Sequence, residues 1–275
     1  MTILVTGGSG TVGRAMSRLT DRFSAPLRPT SRAQLDITEA DALDLTGVTV
    51  VVNLAAATDV DRCEREPRWA EAVNRDGAEN VARAARGAGA RLVHVSTTAV
   101  FGGDDAPGPF AEGDPTHPPN VYARTKLQGE EAVLAAHPEA LIVRTAWVFG
   151  GGAEDPKFVG KVAGRLRAGE PVSAVNDQWG SPTYAHDLVV GLAALLARRA
   201  TGIVHLTNAG RATRHDMATH MKQVLGSSSE VRAVGAATFP LPARRSTDDS
   251  AISTRLHQLG VTMPTWQDAL TRYLG

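Results

Sequence analysis

The first two-thirds of the chain alternate short β-branched apolar runs with longer segments in which apolar residues recur three and four apart among alanine, arginine and glutamate. A short continuous apolar run suits a strand buried on both faces, and the 3.6-residue period suits a helix lying against it. The alternation therefore predicts βαβ units in a parallel sheet covered on both sides. Strands are expected at Ile3 to Thr6, Val48 to Leu54, Leu92 to Ser96 and Leu141 to Thr145, with a second strand ending near Leu27. Helices are expected at Pro67 to Gly87 and Val121 to Ala136, and the proline- and glycine-rich stretch from Phe101 to Pro119 reads as a loop. Beyond about residue 150 the pattern loosens, with turn-rich pieces such as Asn176 to Thr183 between helices such as His186 to Arg198. The expected organisation is α/β: a doubly wound core over residues 1–150, and a smaller region over 151–275 from which segments return to the core.

The first strand runs into Thr6-Gly7-Gly8-Ser9-Gly10-Thr11-Val12-Gly13, which opens a helix. Gly7, Gly10 and Gly13 stand three apart. Glycines there permit the tight turn, a close backbone approach to a pyrophosphate and tight packing of helix on strand. A Rossmann-type dinucleotide site is expected. Past the second strand, Leu27-Arg28-Pro29-Thr30-Ser31-Arg32 contains no acid to hold a ribose 2′-hydroxyl. Arg32, with Arg28 nearby, suits a 2′-phosphate instead, so NADPH is expected and NADH is the alternative. Asp36-Ile37 follows, where the carboxylate either approaches the adenine amino group or starts the next turn.

Tyr122-Ala123-Arg124-Thr125-Lys126 puts a phenol and an ammonium four apart on one helical face. A phenol is a poor acid at neutral pH, and a neighbouring lysine cation is expected to favour its phenolate and bring proton transfer within range. Ser96-Thr97 ends the preceding strand, at the sheet edge where parallel folds place ligands, and supplies a third hydroxyl to hold a carbonyl oxygen.

At 275 residues the chain can bury a sizeable core. Its 29 basic and 29 acidic residues leave no net field for a nucleic acid or an anionic membrane, so neither is an expected partner. One cysteine, Cys63, cannot form an internal disulfide, and no apolar stretch approaches the roughly 20 residues of a membrane span. The opening Met1 to Thr6 lacks a basic segment and cleavage site, so a cytoplasmic protein is expected. His94, His186, His205, His215 and His220 share no ligand spacing, and no metal is expected.

Longer motifs run nearly from end to end: Asn53-Leu54-Ala55-Ala56-Ala57-Thr58-Asp59-Val60-Asp61 with Glu64, Pro67, Ala70 and Asn74; Asn120-Val121-Tyr122 with Lys126 and Gly129-Glu130; and Arg144-Thr145-Ala146-Trp147-Val148-Phe149-Gly150. Asn176-Asp177-Gln178-Trp179-Gly180-Ser181-Pro182-Thr183 and a tail with Leu259-Gly260, Pro264 and Trp266 complete them. Together they resemble the dTDP-4-dehydrorhamnose reductase family of extended short-chain dehydrogenases. The resemblance implies that Thr97, Tyr122 and Lys126 are catalytic. It implies cofactor contacts from Ser9, Thr11 and Val12 beside the three glycines, from Arg32, Asp36 and Ile37, from Leu54, Ala55, Ala56, Thr58 and Asn74, and from Ser96, Tyr122 and Lys126. The sugar is expected at Thr98, Ala99 and Val100, at Trp147 and Phe158, and at Gln178 and Ser181, within a mainly substrate-binding C-terminal region.

Three departures stand out. The family typically reads Ser-Thr-Asp-Tyr-Val-Phe where this chain has Ser96-Thr97-Thr98-Ala99-Val100-Phe101, so an aspartate and a tyrosine that contact the sugar are replaced. Glu154-Asp155-Pro156-Lys157-Phe158 stands where Asn-Asn-Phe is common, and Ala15 where some members place a metal-binding glutamate at a dimer interface. The expected activity is NADPH-dependent reduction of a keto group on a nucleotide-activated deoxysugar with an altered pocket, by a monomer or homodimer. The alternatives are a dehydrogenase or ketoreductase of another cyclic polar metabolite in a specialised biosynthetic pathway and a non-catalytic nucleotide-binding regulatory subunit.

Overall fold

The computed structural model describes residues 1–152, 155 and 157–275. Its strands are β1 (Thr2–Thr6), β2 (Leu27–Pro29), β3 (Val48–Asn53), β4 (Arg91–Thr97), β5 (Leu141–Thr145), β6 (Val148–Phe149), β7 (Val172–Val175), β8 (Trp179–Gly180), β9 (Thr183–Tyr184), β10 (Gly202–His205), β11 (Ala212–Thr213) and β12 (Val231–Val234). Six of them form the central sheet in the order β10-β5-β4-β3-β1-β2, with every pairing parallel. Side chains alternate across a strand, so Ile3, Val5, Val52, Val93 and Val143 face one side while Leu4, Val51, Leu92 and Ile142 face the other. The first side packs on Met16 and on Leu188, Leu192 and Leu195 of helix Ala185–Ala197; the second packs on Val81 and Ala85 of helix Gly77–Gly87 and on Val133 of helix Val121–Ala136. Burying one such leucine stabilises the fold by about 1.5–3 kcal/mol.

A second core lies in the C-terminal region. Phe149, Leu166, Val172, Met217, Trp266 and Leu270 gather there among helices Phe158–Arg167, Arg214–Val224 and Trp266–Leu274 and the parallel pair β7–β12. The chain crosses back between the two cores, because β10 and helix Ala185–Ala197 follow β7 yet complete the central sheet. The single helix expected from Pro67 to Gly87 is instead two α segments, Pro67–Glu71 and Gly77–Gly87, joined by a π turn at Ala72–Asp76. The widened turn carries Asn74, whose amide accepts from the Ala57 N–H at 2.8 Å and donates to the Thr125 hydroxyl at 3.0 Å.

Candidate active site

The carboxyl ends of β1, β3, β4 and β5 open onto one cleft of about 860 Å³. Its floor begins at the glycine turn. Gly7 has φ +67°, and a Cβ built there would sit 2.8 Å from the Ala55 nitrogen; one at Gly13 would sit 2.5 Å from Gly8. Only glycine fits this cradle. Helix Thr11–Arg18 starts at Gly10 without a side-chain cap, so its positive end faces the cleft undiluted. Gly7, Ser9, Gly10, Thr11, Val12 and Gly13 all line the cleft, as do Arg32, Asp36 and Ile37 on one wall and Leu54, Ala55, Ala56 and Thr58 on another. Asp36 is already committed: it accepts from Thr38 at 3.0 and 2.8 Å and pairs with exposed Arg32 at 2.8 Å. The backbone hydrogen bond from Thr38 is the main cause that holds its carboxyl below the usual range. The bonds from Thr38 make the turn, and the carboxylate also lines the cleft.

Ser96 and Thr97 reach the cleft at the end of β4, and Tyr122 and Lys126 from the first turns of helix Val121–Ala136. Asn120 caps that helix by accepting from the Ala123 N–H at 2.9 Å, and its own amide donates to the Arg244 carbonyl at 2.8 Å. The helix is thereby fixed to the loop that closes the cleft from the far end of the chain. Burial pushes the Tyr122 phenol up to about 12, partly offset by the Thr97 hydroxyl beside it. Burial brings the Lys126 amine down to about 8. The expectation that the lysine cation draws the phenol towards phenolate is corrected here. Lys126 Nζ donates to the Val95 carbonyl at 2.9 Å and lies 3.3 Å from His94 Nε2, and desolvation of the phenol dominates. Tyr122 is therefore a protonated acid at neutral pH.

Beneath this layer, Glu130 and Arg144 form a buried bidentate pair, 2.7 Å at its shortest, and Ser96 Oγ donates to Glu130 at 2.5 Å. Removing one partner from such a pair leaves a buried charge uncompensated, at a cost of about 3–5 kcal/mol. The pair locks the helix that carries Tyr122 to β4 and β5.

At the other end of the cleft, Trp147 adopts φ +43°, a left-handed backbone costly for a tryptophan. Its indole lies where a Cβ at Gly180 would come within 2.2 Å, so the absent side chain of Gly180 makes room for the ring. Ala99, Phe158 and Gln178 line this end with it. Four residues expected to touch ligand do not line the cleft. Asn74 braces the wall through Ala57 and Thr125; Thr98 is fully buried with its hydroxyl unpartnered among the described residues; Val100 packs with Phe101 and Phe110; and the Ser181 hydroxyl bonds the Ala251 backbone. Of the Glu154 to Phe158 departure, Glu154 and Pro156 lie outside the described residues. Residues not anticipated also line the cleft, among them Trp69 and Asn120, Arg214, and Phe239, Arg245, Ser246 and Asp249 from the segment before the C-terminal helix. The charged pairs Arg244-Arg245 and Asp248-Asp249 in a turn-rich stretch were the available signal.

A glycine-lined dinucleotide cradle and a Tyr/Lys helix opening on one cleft define a short-chain dehydrogenase-type nucleotide-binding fold. The family described as the RmlD substrate binding domain matches residues 1–275, and the chain belongs to that family. It is 41% identical to a dTDP-4-dehydrorhamnose reductase of Mycolicibacterium smegmatis over 98% of this chain and 83% of that one. It is 39% identical to a dTDP-4-keto-6-deoxy-D-glucose reductase of Streptomyces niveus, over 82% of this chain and 78% of the relative. A solved dTDP-4-dehydrorhamnose reductase from Bacillus anthracis, in complex with NADP, superposes with a TM-score of 0.93 at 30% identity, covering 99% and 98% of the two chains.

Proposed function

We propose that this protein reduces the keto group of a nucleotide-linked deoxysugar with NADPH. The observation that carries the reading is the convergence of the glycine cradle, Thr97, Tyr122 and Lys126 on one cleft. The names of its relatives, and the NADP bound by one of them, support it. The cradle fits a dinucleotide because its backbone leaves no room for a Cβ at Gly7 or Gly13 and the uncapped helix start faces an anion. Arg32 would meet a ribose 2′-phosphate, held in place by Asp36. NADPH supplies a hydride to the carbonyl carbon when bound. Thr97 holds the carbonyl oxygen and Tyr122 donates its proton to that oxygen. Lys126 does not hold the resting phenol, but its cation lines the same cleft and favours the negative charge left when the proton is transferred. The second core, with Trp147, Phe158 and Gln178, forms most of the sugar site, and a cytoplasmic setting goes with the reading. Alanine at position 99, where the resemblance implies a tyrosine, leaves a larger and less polar wall, so the preferred sugar differs from the standard rhamnose precursor.

The reading is tested by NADPH consumption against a panel of nucleotide-linked 4-keto-6-deoxyhexoses and free cyclic ketones. Turnover confined to sugar nucleotides is expected; turnover of free ketones alone, or of nothing, overturns it.

A further inference from the structure

Two adjacent aspartates, Asp248 and Asp249, are used differently. Asp248 is saturated: it accepts from the Gly108 and Ser250 N–H groups, from the Ser250 hydroxyl and from Arg211 at 3.0 Å. Asp249 lines the cleft, and its buried Oδ1 has no hydrogen-bond partner among the described residues. The same division separates two arginines. Arg211 pairs with Asp248, whereas Arg214 lines the cleft with its guanidinium stacked 3.8 Å over the Trp147 ring and 4.9 Å from that of Phe158. Among the described residues its side chain has one hydrogen-bond contact, to the Met217 sulfur at 3.9 Å, and no ion pair. Arg214 covers the face of the Trp147 indole, and Asp249 lies at the indole N–H. Burial raises Asp249 to about 7 against the pull of Arg214, and burial lowers Arg214 to about 10.

A buried acceptor without a donor and a cation without an acceptor are each unfavourable alone, and the proposed chemistry uses neither. Both line the cleft that also holds the glycine cradle and Tyr122. We propose that Asp249 and Arg214 are the specificity-determining pair of the sugar subsite, together taking one ring hydroxyl of the substrate: the hydroxyl donates to the Asp249 carboxylate and accepts from the Arg214 guanidinium. The inference rests on the reading of the cleft as a sugar-nucleotide site. The pair selects against other substituents by charge and by valence. An ammonium is brought against Arg214, and a hydrogen or methyl leaves both ends unpaired. The substrate class is thus a neutral keto-sugar that keeps a hydroxyl at a ring carbon near its carbonyl.

The test compares kcat/KM for dTDP-4-keto-6-deoxyglucose with its 2-deoxy and 3-deoxy counterparts, using wild type, Asp249→Leu and Arg214→Met at saturating NADPH. Wild type is expected to favour the fully hydroxylated sugar over one counterpart by about 10⁴-fold, the discrimination of a site built to bond a hydroxyl. Each variant should narrow that ratio to about tenfold or less, and Asp249→Asn, which keeps an acceptor, should restore most of it. A merely structural role would lower all rates together and leave the ratio intact. A ratio unchanged in either variant overturns the pair; if Asp249→Leu does not fold, Arg214→Met decides. Absence of turnover with every sugar nucleotide removes the functional reading and this inference together, whereas turnover with an unmoved ratio removes this inference alone.

Discussion

Lys126 Nζ lies 3.3 Å from His94 Nε2 and donates to the Val95 carbonyl, so this lysine is tied to β4 rather than to the phenol one turn before it. The tie continues inward. Asn53 Nδ2 is 3.0 Å from His94 Nδ1, and the Thr6 hydroxyl donates to Asn53 Oδ1 at 2.5 Å, which links β4, β3 and β1 beneath the cleft. Burial, and then the Lys126 charge, hold His94 well below the usual imidazole range, so at pH 7 it is neutral and presents no second cation to the lysine.

A pH limit follows. The proposed mechanism uses the charged lysine, and burial has brought its amine down to about 8. Because kcat/KM reports groups of the free enzyme, its value for reduction should fall tenfold per pH unit above about pH 8. Lys126→Arg, charged throughout, should lack this alkaline limb, whatever its absolute rate. A limb unchanged in that variant would assign the titration to another group.

Cofactor preference should depend on Arg32. Its guanidinium is mostly exposed and oriented by Asp36 at 2.8 Å. Arg32→Ala is expected to weaken NADPH binding by about tenfold while leaving NADH nearly unchanged, since an exposed charge-assisted contact sits at the low end of its range. Titration of both cofactors by fluorescence checks this, and an equal loss for the two would refute it.

Glu112 makes stability depend on acid pH. Burial raises its carboxyl, but hydrogen bonds from the Ser253 hydroxyl, the His205 N–H and the Thr254 N–H outweigh burial and bring it to about 2. The folded pKa is depressed below the ordinary 4.5, so the stabilisation is complete above about 4.5 and is lost as pH falls through about 2. Glu112→Gln should lower stability at pH 7 by about 1 kcal/mol, a modest figure for a half-exposed group. Urea midpoints of the two proteins should converge as pH drops from about 4.5 towards 2; a constant gap would show that ionisation plays no part.

Local features were the legible ones. The glycine spacing at Gly7, Gly10 and Gly13, the Tyr122/Lys126 separation and the β-branched runs of the central sheet are short-range patterns with one physical interpretation each. What escaped depends on contacts between distant segments. Arg214 and Asp249 meet the cleft only after the second core forms and the segment before the final helix folds over it. His94 looks like an ordinary strand residue until β3 brings Asn53 beside it. The resemblance places Thr98 and Val100 at the sugar, but the 3₁₀ turn at Thr98–Val100 directs them into the core and leaves Ala99 at the cleft. The direction of the Lys126 side chain was likewise invisible, since helical spacing places two residues on one face without saying which neighbour the longer side chain will choose.

The most direct test of the central claim measures NADPH oxidation by wild type and Tyr122→Phe with a nucleotide-linked 4-keto-6-deoxyhexose, alongside NADPH affinity. The phenol is the proposed proton donor, and at about 12, raised by burial from 10, it carries its proton at neutral pH. Tyr122→Phe should lose about 10²- to 10⁴-fold in kcat while binding NADPH within a few-fold of wild type. Turnover near wild type in the variant would contradict the account, because another group would then be delivering the proton.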